Sequence, residues 1–222
     1  MEGLPRQESK RKSGIEELKD LINRSGEVPY FGFFRGCANA FSKLDNVQFA
    51  EKSARALLKV CVLENQKDIT ENNVINFGHT LGHAYNSLSD VKYHFGEIST
   101  ESSQVLKKLG EFLGKVCEAI GDFPKAYMYY KESEYEKYKD KILNVEKSNF
   151  IDFENNRDWW MESNNNNFPG FQNLQNQPEQ ENYQKELFND FLQTIPEDIL
   201  IINPEEEKNE LINEANKIIA ES

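Results

Sequence analysis

The stretch Asn76-Phe77-Gly78-His79-Thr80-Leu81-Gly82-His83-Ala84 decides how this chain is interpreted. All three histidines of the chain fall between positions 79 and 94. His79 and His83 are four residues apart, so on a helix they share one face about one turn apart. Neutral imidazole is a common ligand for transition metals and a proton carrier near neutral pH. The adjacent glycines leave room for a ligand or a backbone to approach.

Spacing alone leaves two interpretations of these histidines open. A third ligand from His94 or Glu97 would complete an open zinc site with His79 and His83. Thr80, however, stands where a zinc protease of the His-Glu-x-x-His type has its glutamate. The alternative is that the histidines cap and pack within a helical core.

Charge divides the chain near residue 149. Residues 1–149 hold 22 acidic and 22 basic side chains, so residues 150–222 carry the whole net charge of −12. A segment this acidic argues against nucleic acid or an anionic membrane as partner, since both require clustered Lys and Arg. The three cysteines include no CxxC pair and are expected to be reduced and buried as small hydrophobic side chains. Because no apolar run is long enough to cross a membrane and the N-terminus has no signal-peptide core, we expect a soluble, cytoplasmic protein.

The composition predicts four segments and a mostly α fold. Residues 1–12 are expected to form a flexible arm and residues 13–148 a helical domain. Residues 149–182, rich in Asn and Gln, are expected to be a partly disordered linker, and residues 183–222 an acidic tail of two helices. Within the linker, Trp159-Trp160 either docks on the helical body or serves as a partner-binding peptide.

Apolar periodicity and capping residues predict the helices, and no strand is expected. The predicted helices cover 15–22, 47–63, 74–88, 97–120, 125–146 and 183–195, with a last helix that starts at Pro204. Ser13 and Asn203 are the expected N-caps of the first and last of these helices. Ser89-Asp90 is expected to be a turn and residues 64–73 a loop. The aromatic residues 30–44 fit a short helix or packed loop, with a membrane-inserting loop as the sharper alternative.

The histidine stretch resembles the signature of 3-dehydroquinate synthases and related sugar-phosphate cyclases. That family has an Asn-(Phe/Leu)-Gly-His-Thr-x-Gly-His-Ala helix start in its C-terminal, mostly helical domain. Weaker similarities lie on both sides, where the family has L-P-R-x-E, S-G-L-A-E, K-A-x-V-V-x-x-D-E and H-G-E. They fall here on Leu4–Glu8, Ser13–Glu17, Lys59–Glu64 and Phe95–Glu97. The resemblance covers roughly residues 4–120 and implies a domain like the helical half of these enzymes.

The resemblance implies roles for seven residues. By position, the ligands of a catalytic zinc, or another divalent metal, are Glu17, His79 and a third residue that falls on Phe95, with His94 adjacent. His83 corresponds to a histidine that contacts substrate and Asn76 to a polar residue of the active site. Lys19 and Lys59 lie within one position of two lysines that bind substrate.

The implied reaction converts a seven-carbon keto-sugar acid phosphate, the heptulosonate phosphate of the shikimate pathway, into 3-dehydroquinate with loss of phosphate. In the family it depends on zinc and NAD. A zinc held by two His and one Glu keeps one position open and acts as a Lewis acid, and lysines neutralise the phosphate and carboxylate of the substrate. The implied ligand is therefore a small-molecule sugar phosphate.

Three departures from the family pattern leave a second class of function open. The sequence starts three residues before the L-P-R segment and contains no Gly-rich phosphate loop, so NAD has no evident site in it. The third metal ligand is displaced by one position, and the family's Arg falls on Asn72. The chain is thus expected either to act with a homodimer partner or a separate NAD-binding domain, or to be a non-catalytic helical interaction protein that keeps the scaffold. More generally, we expect the isolated chain to be incomplete or inactive as a cyclase.

Overall fold

The computed structural model describes residues 4–68, 74–119, 123–133, 189–195 and 197–222. Within these ranges the chain is helical and has no strand, which confirms the mostly α fold class. The helices are α1 (Leu4–Asn23), α2 (Tyr30–Lys43), α3 (Val47–Asp68), α4 (Val74–Phe95), α5 (Thr100–Ala119), α6 (Phe123–Glu132), α7 (Glu197–Leu200) and α8 (Pro204–Ala220). Residues 189–194 are also helical. The predictions for the linker 149–182 and for Trp159-Trp160 lie outside the described residues.

The chain forms two compact units. The first comprises the described residues within Met1–Thr70, His79–Leu106 and Ile195–Ser222. The second comprises those within Glu71–Gly78 and Lys107–Thr194. Of the seven predicted site residues, all except Asn76 belong to the first unit.

Helices α2 and α3 form the centre of the first unit. Phe33, Phe34 and Phe41 of α2 are fully buried, so residues 30–44 form a helix whose aromatic side chains belong to the protein core. In the described residues, no helix combines the length and the apolar character needed to cross a bilayer. Around this centre, α1 packs on α2, α7 on α3, and α8 on α1, α2 and α3.

Gly14 allows the close approach of α1 to α2. A Cβ atom added there would lie 3.0 Å from the Ala40 carbonyl oxygen and 3.0 Å from Leu44 Cγ. Gly14 is therefore part of the packing surface between two helices, where any side chain would push them apart.

The second unit has a comparable close contact between α5 and α6. A Cβ atom on Gly114 would lie 2.4 Å from Tyr130 Cε1, so the Tyr130 ring lies directly against the backbone of α5. The rings of Phe112 and Phe191 stack with their centroids 4.6 Å apart. These aromatic contacts lie in the core of the unit, together with the buried side chains of Leu109, Leu113 and Ala126.

The predicted turn at Ser89-Asp90 is wrong, because α4 continues without interruption to Phe95. Leu88 and Val91, on either side of the pair, are 2% and 1% exposed and extend the buried stripe of the helix. The helix ends instead at Gly96, which has φ +80° and donates its N–H to the Lys92 carbonyl. This is a left-handed C-terminal cap, a conformation for which glycine is favoured.

Two other helix boundaries differ from the prediction for similar reasons. Helix α1 starts at Leu4, so Ser13 lies inside it, and the Ser13 hydroxyl donates to the Glu17 side chain 3.4 Å away instead of capping a helix. Residues 4–12, expected to be part of an arm, are helical. Helix α3 continues to Asp68, so the first part of the predicted loop 64–73 is helical, and residues 69–73 lie outside the described part.

Helices α5, α6 and α8 begin close to their predicted starts, and the predicted start at residue 183 lies outside the described residues. Helix α5 starts at Thr100 and α6 at Phe123; the continuation predicted after Ser133 lies outside the described residues. Asn203 caps α8 by accepting the Glu205 N–H at 3.1 Å, and α8 has Pro204 at its first position.

The three cysteines are buried as reduced thiols, as expected. Burial raises the pKa of the Cys37 thiol to about 12. The thiol therefore stays protonated at neutral pH, which is typical of a packing residue and not of a nucleophile.

Candidate functional site

Glu17, the metal ligand predicted on α1, has a carboxylate that accepts three side-chain donors. Asn39 Nδ2 lies 3.3 Å away and Ser13 Oγ 3.4 Å away, and Lys43 forms an ion pair with the same group. Two of these donors come from α2. Glu17 thus connects α1 to α2, and its negative charge is balanced by Lys43.

His83 and His94 both face α2 or the residues that follow it. The His83 ring packs edge-on against Phe31, with ring centroids 5.5 Å apart. His94 Nε2 lies 3.3 Å from Asp45 Oδ1, just after the end of α2, and its ring packs against Phe95. Phe31 is the second residue of α2, and Asp45 lies two residues after its end.

The third predicted ligand, His79, also lies on α4, and its side chain is outside the described part, as is that of Asn76. The backbone nevertheless fixes a distance. His94 comes fifteen residues after His79 on one continuous helix, which corresponds to roughly 22 Å along the axis. Two imidazoles on one zinc, with bonds of about 2.1 Å each, cannot span that separation.

The residues present therefore do not fit the implied zinc centre in this fold. Glu17 and His83 each contact a residue of α2, and His94 contacts Asp45 just after it, but the structure does not bring His79 and His94 together. Among side chains in the described ranges, no group of three His, Cys, Asp or Glu is arranged to hold a metal ion.

The two predicted substrate lysines differ sharply in environment. Lys19 is exposed on α1. Lys59, on α3, is only 8% exposed, and its Nζ donates a hydrogen bond to the Leu200 carbonyl oxygen. Desolvation lowers the pKa of the Lys59 amine. Its position in the apolar run Ala56–Val62 was a signal in the sequence that this lysine would be buried and would need a partner.

Two more charged residues of α3, Glu51 and Lys52, connect this helix to later parts of the chain. Neither was identified from the sequence. Lys52 Nζ lies 3.3 Å from Glu207 Oε2 and 2.5 Å from Glu210 Oε2 on α8. Desolvation acts to lower the pKa of Lys52, but these carboxylates together raise it. Glu51, 7% exposed, accepts the Ser99 N–H at 2.5 Å and so fixes the residue before α5.

The environments of Lys59 and His83 determine which chemistry each residue can perform. Lys59 is a buried cation whose present partner is a neutral carbonyl oxygen, so it can exchange that oxygen for an anion. His83 is half-buried against an aromatic ring, a position from which an imidazole can move a proton near neutral pH. Each residue type suits one task with an anionic substrate: a lysine binds the anion, and an imidazole transfers a proton.

The chain resembles two curated enzymes named 3-dehydroquinate synthase. It is 29% identical over 119 residues to the enzyme of Pyrococcus furiosus, a match that covers 48% of this chain and 35% of the relative. It is 28% identical over 95 residues to the enzyme of Clostridium beijerinckii, which covers 42% of this chain and 27% of the relative. The chain therefore spans about a third of the length of these relatives. No protein-family model matches the chain, and no solved structure matches it.

Proposed function

We propose that this chain is a helical domain of the 3-dehydroquinate synthase type. In this proposal it binds an anionic sugar phosphate and contributes to phosphate elimination, a carbon–oxygen lyase reaction, only together with an NAD-binding domain. The observation that carries the proposal is the similarity to two synthases, and the residues assigned to substrate, Lys19, Lys59 and His83, belong to the same unit.

Side chains of this domain bind the substrate and transfer a proton in the proposed reaction. Lys59 and the exposed Lys19 bind the phosphate and carboxylate groups of the substrate by charge-assisted hydrogen bonds. His83 transfers a proton. No metal-dependent step is assigned, because α4 as folded separates His79 from His94.

Phosphate release tests the proposal directly. The purified chain is incubated with the heptulosonate phosphate and NAD, with and without a separately produced dinucleotide-binding domain of a synthase. We expect release only when both proteins are present, and a loss of roughly a hundredfold or more in His83→Ala, since general acid–base catalysis contributes factors of that order. Phe31→Leu, which changes the packing around His83 and keeps the imidazole, is the control.

The proposal fails if no phosphate is released with both proteins present, or if His83→Ala releases it as fast as the unaltered chain. Complementation of a bacterium that lacks 3-dehydroquinate synthase gives an independent readout of the same activity.

A second candidate function is favoured by the contacts of Lys59 and Glu17. Both side chains are engaged within the protein, Lys59 with Leu200 and Glu17 with Lys43. We therefore infer as the alternative a non-catalytic helical interaction protein that uses these residues for stability. In that case Lys59→Met and Glu17→Gln would destabilise the fold, and neither would change the binding of a sugar phosphate.

A further inference from the structure

The C-terminal residues occupy the lysine that the proposed substrate needs. Lys59 Nζ donates to the carbonyl oxygen of Leu200, the last residue of α7. Carbonyl groups at the end of a helical turn have no partner within it and carry partial negative charge, so they attract a cation. A neutral carbonyl is nevertheless a weaker partner for an ammonium group than a phosphate or carboxylate oxygen.

Helix α8 follows α7 and packs on α1, α2 and α3 through a buried apolar face with several polar contacts at its edge. Leu211 and Ala215 are 0% and 2% exposed. At the edge of this contact, Glu207 and Glu210 pair with Lys52, and Glu205 accepts a hydrogen bond from the Tyr30 hydroxyl. Lys208 Nζ donates to the Ser25 carbonyl oxygen at 2.5 Å and lies 5.3 Å from the centre of the Tyr30 ring.

Some of these polar contacts are exposed and respond to ionic strength, although the Glu207 Oε2 atom that faces Lys52 is itself buried. Of the two carboxylates at Lys52, the Glu210 side chain is 54% exposed and the Glu207 side chain 21% exposed. Pairs of this kind are screened by salt, and each contributes modestly. Salt therefore weakens the polar edge of this contact, which lies beside the buried side chains of Ile199 and Leu211.

We propose that residues 197–222 form an autoinhibitory strap that competes with an anionic substrate for Lys59. This inference rests on the proposed function, since it assigns Lys59 to the substrate. Because the strap belongs to the same chain, its local concentration at Lys59 is high, and the substrate meets it as an intramolecular competitor. Release of the strap frees the ammonium group for a phosphate or carboxylate.

Acylation of lysines in the full chain, mapped by mass spectrometry, measures how often the strap opens. Exposed Lys12 serves as internal reference. The double variant Glu207→Gln/Glu210→Gln removes both charges at Lys52, and we expect it to raise the acylation rate of Lys59 roughly three- to thirtyfold. Glu214→Gln is the matched control, because Glu214 pairs with Lys217 inside α8, 3.3 Å away, and we expect no change there.

A second experiment tests whether Lys59, once the strap is released, binds an anion. Inorganic phosphate is the probe. In the double variant, phosphate should slow the acylation of Lys59, and chloride at the same ionic strength should not. If the double variant leaves the acylation rate of Lys59 unchanged, there is no strap and the inference is overturned.

If Lys59 becomes reactive but phosphate gives no protection, the inference is also overturned, because the covered lysine is then no anion site. The phosphate-release assay with His83→Ala is separate from both arms, so the proposed function can fail or hold independently.

Discussion

Replacing Lys59 with methionine removes the ammonium group and keeps an unbranched stem that fills similar space. The wild-type hydrogen bond to the Leu200 carbonyl involves a charged donor, and such bonds contribute about 1.5–3 kcal/mol. Part of this is offset, because the variant no longer buries a charge, a cost visible in the lowered pKa of the Lys59 amine. We therefore expect a net loss of about 1–2 kcal/mol, located where the C-terminal segment meets α3.

Amide hydrogen exchange measures this loss at the right place, since it reports the local opening of individual helices. At about 1.4 kcal/mol per factor of ten, exchange in α7 and α8 should accelerate roughly five- to thirtyfold in Lys59→Met. Lys19→Met makes the same chemical change at an exposed position of α1 and should leave exchange within about twofold of the wild type. Equal exchange in the two variants would refute the reasoning, because Lys59 would then hold nothing in place.

Two further predictions test packing and ionisation. Gly114→Ala should destabilise the protein by about 1–2 kcal/mol in urea unfolding, because the new Cβ would meet the Tyr130 ring at 2.4 Å. This overpacking outweighs the roughly 1 kcal/mol by which alanine stabilises a helix relative to glycine. Gly78→Ala, whose Cβ would lie 3.4 Å from its nearest neighbour, should be neutral or stabilising, and equal effects at the two glycines would contradict the packing argument. The hydrogen bond to Glu205, with some desolvation, raises the pKa of the Tyr30 hydroxyl above 10.0. The stabilisation by this contact is therefore complete below pH 10 and is lost as the pH rises through the raised pKa. Tyrosinate absorbance, taken as the difference from Tyr30→Phe, should show this shift; titration at or below pH 10 would disprove it.

Local sequence signals predicted much of the helical framework. Asn203 followed by proline and three glutamates specifies the start of α8, because cap, proline and acidic first turn all suit a helix N-terminus. The same local reasoning failed at Ser89-Asp90. A Ser-Asp pair favours a turn only when the flanking residues do not require a helix, and burial of Leu88 and Val91 on one face of α4 outweighs that preference.

The candidate site was harder to predict, because its partners are distant in the chain or carry no sequence signal. Leu200 contributes a backbone carbonyl to Lys59, and any residue could supply it. The Lys52 pairs join positions more than 150 residues apart. The sequence does show that Lys59 lies in an apolar run of α3. This pattern predicts a buried lysine but does not identify its hydrogen-bond partner.

Because α4 is continuous, a metal site shared by His79 and His94 would require the helix to break, which costs free energy. To bring them together, the helix must break near Ser89-Asp90, which exposes Leu88 and Val91 at about 1.5–3 kcal/mol each. Structural zinc sites supply on the order of 10 kcal/mol or more, so a metal could drive the change, and binding would be visible as a loss of helix. Zinc titration followed by circular dichroism at 222 nm, with His79→Ala as control, tests this. Tight zinc binding that depends on His79 and leaves the helix signal unchanged would show that the metal uses a ligand set without His94.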